Sequence, residues 1–538
     1  MKRILLVGLI GFIFFTRYLF LVTTDEVEEI IGGYESLRVL DIQTTEQGIK
    51  PLILPSEEGY YKYIKIGGIT FLYQYSYPML KLKIKEKEYP LLMAKYSGPL
   101  YIYIPRFFES IFGKNIYSLR FVCLICFLIF SYLHIHLLTE RLKIDEGILS
   151  TIFLITITIF GSQFLYLMPW NHQILFICLV LLMMKIVKII RNSNMKSSDL
   201  LSIFLLGGIM VHFHALAGGA IFASVILGFI LTIRKKGISF EIHPVHILSG
   251  FFLFLSLISP LLLSFPDFIS YILQRKEGKL IFFAPLRLLI VFAAALFLPS
   301  NAIYFALFGK PRFEYIPLSW LSGILYAYTI YWVVKNRKKE PLLFLTFLSS
   351  FIYLFFLLFA GTRPYHTNSI LLLVSLFIIP SLKDIEFLNS AKKLRAVMLL
   401  AIACNIIQLE MLRNDIKNSS YSLTLHKNVA HYLEENGINK LFNLAGPYTY
   451  QFISKKPPQT VGFYLYLQDY HSMKRIYLSL LLSRGNVILV EDFKRRAYST
   501  GISYEEVLNI ARKTGVNLKV LKGFPSEKAY KLLLIEVQ

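Results

Sequence analysis

The chain has 538 residues, 55% of them hydrophobic and 15% aromatic, and its mean hydropathy is +0.56. One soluble core cannot hide that much apolar surface, so composition excludes a water-soluble enzyme and defines a polytopic membrane protein. The 57 Lys and Arg against 34 Asp and Glu give a net +23, which in a soluble chain would suggest nucleic acid. Here the basic residues concentrate in short loops between apolar stretches, as cytoplasmic loops do, and no nucleic-acid motif accompanies them.

In chain order, Met1-Lys2-Arg3 opens an apolar stretch over 4–15. No small-residue cleavage site follows and Arg17-Tyr18-Leu19 continues the run, so it reads as an uncleaved first span with Arg17 snorkelling near its outer end. Behind it stands Thr23-Thr24-Asp25-Glu26-Val27-Glu28-Glu29, a carboxylate cluster at a membrane surface. An acid there costs little, whereas one at the bilayer centre costs roughly 2.5 to 3.5 kcal/mol or more. With Lys2 and Arg3 cytoplasmic, Asp25 emerges outside and begins an outer loop over about 23–116. Within that loop, residues 60–87 are rich in Tyr, Ile and Lys, and the alternation Leu80-Lys81-Leu82-Lys83-Ile84-Lys85 predicts strand.

The second span, 117–138, returns to Glu140-Arg141-Leu142-Lys143, and the third, 148–167, comes out at Met168-Pro169-Trp170-Asn171-His172. A fourth span leads to a basic loop over 185–196. Two short spans then meet outside near His212-Phe213-His214, and the chain returns to Arg234-Lys235-Lys236. Residues 244–264 go out again. The stretch 281–307 reads as a re-entrant or interfacial pair hinged at Pro299-Ser300-Asn301, because a single crossing would put the Lys335 to Lys339 cluster outside. Spans over 317–334, 341–360, 368–382 and 396–411 complete the set. The four cysteines, Cys123, Cys126, Cys178 and Cys404, all lie in apolar stretches and read as packing residues.

Beyond residue 412 helices alternate with short apolar strands over 440–444, 486–490, 518–521 and 532–537, which fits a small α/β domain. Gly437, Gly446 and Gly485 stand alone, so no phosphate-cradling loop is expected there. The expected fold is therefore an α-helical polytopic membrane protein of about 11–13 transmembrane helices. Its expected division is a transmembrane domain over 1–412 and an extracytoplasmic α/β domain over 413–538.

A more specific pattern follows the outer-loop strands. Lys95-Tyr96-Ser97-Gly98-Pro99-Leu100-Tyr101 precedes Ile111-Phe112-Gly113 and then Ser118-Leu119-Arg120 at the start of the second span. With an acidic pair after span one, a Gly-Pro with Leu-Tyr, then Phe-Gly and Leu-Arg, the chain resembles the GT-C superfamily of membrane glycosyltransferases. Within it the likeness is to the polyprenyl-phosphate-sugar transferases, the branch of the aminoarabinose and protein O-mannosyl transferases. It covers roughly residues 4–382 in architecture and the first 120 in motif. The resemblance implies a GT-C-like helical fold. It also implies transfer of a sugar from a polyprenyl-phosphate donor to a lipid, glycan or protein acceptor, at the extracytoplasmic face of the cell (inner) membrane. The partners it implies are that donor, an unidentified acceptor and membrane lipids, with no nucleic acid.

Such a transfer needs a base for the acceptor hydroxyl and positive or donor groups for the departing phosphate. A carboxylate on the face opposite the leaving group gives inversion. Asp25 is the first candidate for the base and Glu26 the second, against the plainer role of acids opening an interfacial helix, where the dipole favours them. Arg363, between an apolar span and Pro364-Tyr365-His366, leads the candidates for the phosphate because of its planar fork of donors. His366 and Arg120 accompany it, and anchoring a span end at the headgroups is the competing role for both arginines.

Tyr96, Gly98, Pro99, Tyr101, His172, His212 and His214 are the expected lining of the substrate site. His212 and His214 flank Phe213 on alternate sides, so one is expected to line and one to pack, and a His so placed is more often a hydrogen-bonded structural residue than a ligand. Several relatives place a second acid where this chain has Trp170-Asn171-His172-Gln173, which weakens the case for a metal, since hard cations want carboxylates. No cofactor is required, and a divalent cation (Mg or Mn) is left open. Under this threading Asp25, Tyr96 to Tyr101, Arg120, His172, His212 and Arg363 reach one side. The rival readings are a transporter or flippase of a lipid-linked or anionic substrate, disfavoured by the near absence of acids at span centres, and a structural subunit of an envelope assembly.

Overall fold

A computed structural model of the protein describes residues 8, 61–66, 69–74, 79–84, 87–92, 98, 100–113, 116–157, 170–263, 284–297, 314, 316–360, 367–417, 423–443, 454–455, 459–462, 484–491, 504–525 and 531–538. Strands β1 (Tyr61–Ile66), β2 (Ile69–Gln74), β3 (Met79–Ile84) and β4 (Lys87–Leu92) form an antiparallel meander in chain order. The alternation at residues 80–84 falls on β3, where Leu82 stands opposite Phe71 of β2 and Tyr89 of β4. Helix α1 (Leu100–Phe112) then interrupts the expected outer loop. Its Leu100, Tyr103, Phe107 and Ile111 recur at helical spacing and are all exposed. In a membrane protein such a bare apolar stripe belongs in the headgroup layer.

Helix α2 (Ile116–His136) runs straight into a π-turn at Leu137–Arg141. There follow α3 (Gly147–Leu154), α4 (Trp170–Asn192), α5 (Ser197–Phe213), α6 (Ala215–Lys236) and α7 (Pro244–Leu263). Next come α8 (Ala284–Phe297), α9 (Ile316–Asn336), α10 (Pro341–Ala360), α11 (Asn368–Ser375), α12 (Ile378–Lys383) and α13 (Ala391–Lys417). Among the described residues six helices are long and apolar enough to cross a membrane, in α2, α4, α6, α7, α10 and α13. The protein is a polytopic helical membrane protein.

Small residues let these helices approach closely, which is how helices pack where lipid tails remove the hydrophobic drive. A Cβ on Gly228 of α6 would stand 2.6 Å from Ser349 Oγ of α10, while Lys235 lies over the Phe344 ring, so α6 and α10 run antiparallel. Gly208 of α5 meets Leu257 of α7, and Gly250 of α7 meets Phe204 of α5. Buried polar groups tie more distant helices. His134 Nδ1–H donates to Thr151 Oγ1 (2.9 Å), whose own hydrogen goes to the Gly147 carbonyl, and Ser322 Oγ donates to Asn405 Oδ1 (2.9 Å).

One end of the bundle is basic and closed by ion pairs and a short ribbon. Strands β5 (Asn194–Lys196) and β6 (Ser239–Glu241) pair there, and Lys383 bonds Glu146 at 3.0 Å. Two further stretches differ from the sequence reading. Residues 185–192 are not loop: α4 continues through them, with Lys185 and Lys188 in its last two turns. Residues 368–382 form no continuous span, because the helix breaks at Leu376-Phe377 between α11 and α12. The expected hinge of the 281–307 stretch at Pro299-Ser300-Asn301 lies outside the described residues.

The C-terminal residues carry α14 (Leu423–Glu435), β7 (Lys440–Asn443), β8 (Gln459–Gly462), β9 (Val487–Glu491), α15 (Tyr504–Thr514), β10 (Leu518–Pro525) and β11 (Lys531–Val537). The sheet order is β10-β11-β9-β7-β8, with β7 parallel to both neighbours and the other pairs antiparallel. Alternate residues serve opposite faces. Ile488, Val490, Ile535 and Val537 pack with Val507 and Ala511 of α15, while Leu441, Leu489, Leu532 and Leu534 pack with Leu425, Val429 and Leu433 of α14.

Candidate substrate site at the non-basic ends of the helices

His212 joins three segments that lie far apart in sequence. Its carbonyl accepts from Gly98 N–H (2.5 Å), its Nε2 accepts from Leu100 N–H (3.2 Å), and its Nδ1–H donates to the Leu257 carbonyl (2.9 Å). An amide can only donate and a carbonyl can only accept, so the contacts define a neutral imidazole protonated at Nδ1. Gly98 lies flat on this ring, and a Cβ there would fall into it. Glycine is needed at 98 for close approach. Leu257 sits one turn before Pro260, inside α7, where the missing amide frees a carbonyl on the preceding turn. Ser259 Oγ takes up the Ser256 carbonyl at 2.8 Å.

His214 has another task. Helix α5 ends at Phe213 because His214 adopts an extended backbone (φ −158°, ψ 95°), and its Nδ1 accepts the Ala217 N–H at 3.1 Å, capping α6. Gly218 presses the first turn of α6 against the Met210 carbonyl and within reach of Leu175 of α4. The N-termini of α1, α4 and α6 thus open on one end of the bundle, each adding partial positive charge.

Gln173, in the first turn of α4, is fully buried, and neither its amide nitrogen nor its oxygen has a partner among the described residues. A buried amide left unpaired costs about 1–3 kcal/mol, which marks Gln173 as a group that needs both a donor and an acceptor. Sequence reasoning quoted Gln173 but passed over it, since no pattern signals an unpaired amide.

Of the expected site residues, Gly98 and His212 are in direct contact and His214 is two residues away. Tyr101 lies in the first turn of α1, His172 in the first turn of α4 and Arg120 in the second turn of α2. Helix α10 ends at Ala360 on the same side as the start of α6, as its antiparallel packing requires. Asp25, Glu26, Tyr96, Pro99, Arg363 and His366 lie outside the described residues.

The helical bundle, with its small-residue packing, is that of a multi-pass membrane protein, and one stretch of it resembles a known family. Residues 96–263, from the Gly98 turn through α7, match the family described as dolichyl-phosphate-mannose-protein mannosyltransferase. The match spans less than half of the chain and contains Gly98, His172, Gln173, His212 and His214. No curated protein matches the chain. The protein is accordingly a multi-pass membrane protein with a stretch similar to a family of sugar transferases.

Proposed function

We propose that the protein transfers a sugar from its polyprenyl-phosphate donor, with inversion, to an acceptor hydroxyl at the extracytoplasmic face of the cell membrane. The reading rests on one observation. The Gly98 turn is clamped onto His212 at the end of the bundle away from the basic loops, inside the residues that match the family. Basic loops mark the cytoplasmic side, so the clamped end faces out. Asp25, with Glu26 as second choice, takes the acceptor proton as the acceptor oxygen attacks the anomeric carbon. The bond from that carbon to the phosphate oxygen breaks, and the polyprenyl phosphate departs with the bonding pair, held by Arg363, His366 and Arg120. Gln173 meets a hydroxyl of the bound sugar with its free amide. Residues 413–538 form a separate domain on the same side and present the acceptor.

The test is transfer from a panel of radiolabelled polyprenyl-phosphate sugars in membranes holding matched amounts of wild type or Asp25→Asn. Wild type is expected to transfer from at least one donor and Asp25→Asn to lose about 10²-fold or more of that rate, with donor binding kept. Full activity in Asp25→Asn would pass the role to Glu26 or remove it from both. Donor movement across the membrane without transfer would instead favour the flippase reading.

A further inference from the structure

A cavity opens at the opposite, basic end of the bundle. It measures about 400 Å³ and is lined by Arg141, Leu181, Met184, Lys185, Lys188, Ser202, Leu205 and Leu206. The π-turn that ends α2 supplies Arg141, the last turns of α4 supply both lysines, and α5 supplies the other wall.

The charge count does not balance. Asp199, 2% exposed, accepts from Lys188 Nζ at 3.2 Å and stands 3.6 Å from Lys185 Nζ, while its other oxygen faces the Lys196 amide at 3.4 Å. It is the one carboxylate that the described residues bring to these amines. One negative charge therefore faces two lysines and Arg141, and Glu140, which precedes Arg141 in the same π-turn, is exposed. Both lysines remain partly open, at 35% and 41% exposure, and Leu205 is exposed. Cations this close to a bilayer interior are retained where an anion meets them, and an apolar wall beside them suits an acyl chain.

We propose that this groove binds the phosphate of an anionic glycerophospholipid from the leaflet bordering the basic loops. The phosphate is met by Arg141 in a bidentate fork and by Lys185 and Lys188 as point charges. The first acyl carbons lie against Leu181, Met184, Leu205 and Leu206. Asp199 holds the lysine heads at the rim and neutralises one of them, so the site takes a monoanionic or dianionic headgroup. The site is distinct from the sugar-transfer end and does not rest on that reading.

Native mass spectrometry of the full-length protein in detergent, with added phosphatidylglycerol or phosphatidylcholine, tests this. Wild type is expected to hold phosphatidylglycerol about tenfold more tightly, an anionic preference of the size basic headgroup sites give. Arg141→Gln/Ser202→Glu removes a cation from the groove and adds an acid to its wall, and is expected to abolish the preference, whereas Lys338→Gln/Lys339→Gln on another basic loop keeps it. Equal binding of the two lipids, or a preference that survives Arg141→Gln/Ser202→Glu, overturns the proposal. Displacement of the lipid by excess inorganic phosphate also overturns it, since the site would then take a free anion. A photoactivatable phosphatidylglycerol on the wild-type protein gives a reading that needs no variant: label on peptides from 181–206 supports the site, and label confined elsewhere refutes it.

Discussion

At the scale of single residues, His212 and Gly98 form one contact and should behave as one. His212→Ala would leave the Leu100 amide and the Leu257 carbonyl unpaired, for a loss of about 2–4 kcal/mol. Gly98→Ala would overpack the ring, for about 1–3 kcal/mol. Because the two changes break the same junction, the double variant is expected to lose less than the sum of the singles, read as thermal unfolding of the purified protein in detergent. Strict additivity would show that the two residues act separately. The sequence named both residues, yet the partners were not legible: His212 bonds backbone atoms 112 and 45 positions away, and backbone atoms leave no mark in a residue pattern. His214 was marked as a companion of His212, but its cap on Ala217 depends on where α5 stops, which the apolar run does not reveal.

At the scale of elements, strands were legible where two faces contrast, as in the Leu-Lys alternation of β3, and where a short apolar run is buried on both faces, as in β9 and β11. The polar strand β8, Gln459–Gly462, carries no such contrast and was missed. Charged residues misled in the opposite sense. Lys185 and Lys188 look like a loop after a span, but Asp199 of the next helix partly neutralises them and α4 runs on through Asn192. The break between α11 and α12 falls at buried, apolar Leu376 and Phe377, and its one sequence signal, Pro380 in the first turn of α12, whose missing amide frees the Leu376 carbonyl, was passed over. Helix pairing gives a further prediction. Gly228→Leu would drive a side chain into Ser349 and Leu345 of α10 and is expected to destabilise by about 1–3 kcal/mol or more. Gly219→Leu, on the same helix with only Val211 near, is expected to cost far less in the same unfolding assay.

At the scale of the whole molecule, the basic loops that join the described helices gather at one end of a bundle whose helices alternate in direction, so charge orients it. Cysteines placed at Lys339, in the turn after α9, and at Lys513, at the end of α15, are expected to be labelled by a membrane-impermeant maleimide from opposite faces of sealed vesicles. Labelling of both from the same face would move the C-terminal sheet to the side of the basic loops. Buried Cys126 and Cys178 should stay silent in that assay.

The bare stripe of α1 carries a last consequence. Leu100, Tyr103, Phe107 and Ile111 act as a float riding at the waterline of the bilayer, while the same helix begins at the turn moored to His212. The height of that turn is therefore set by the membrane as much as by the protein. A donor whose phosphate travels in the headgroup plane would arrive already level with the Gly98 turn, with no lift of its tail out of the lipid.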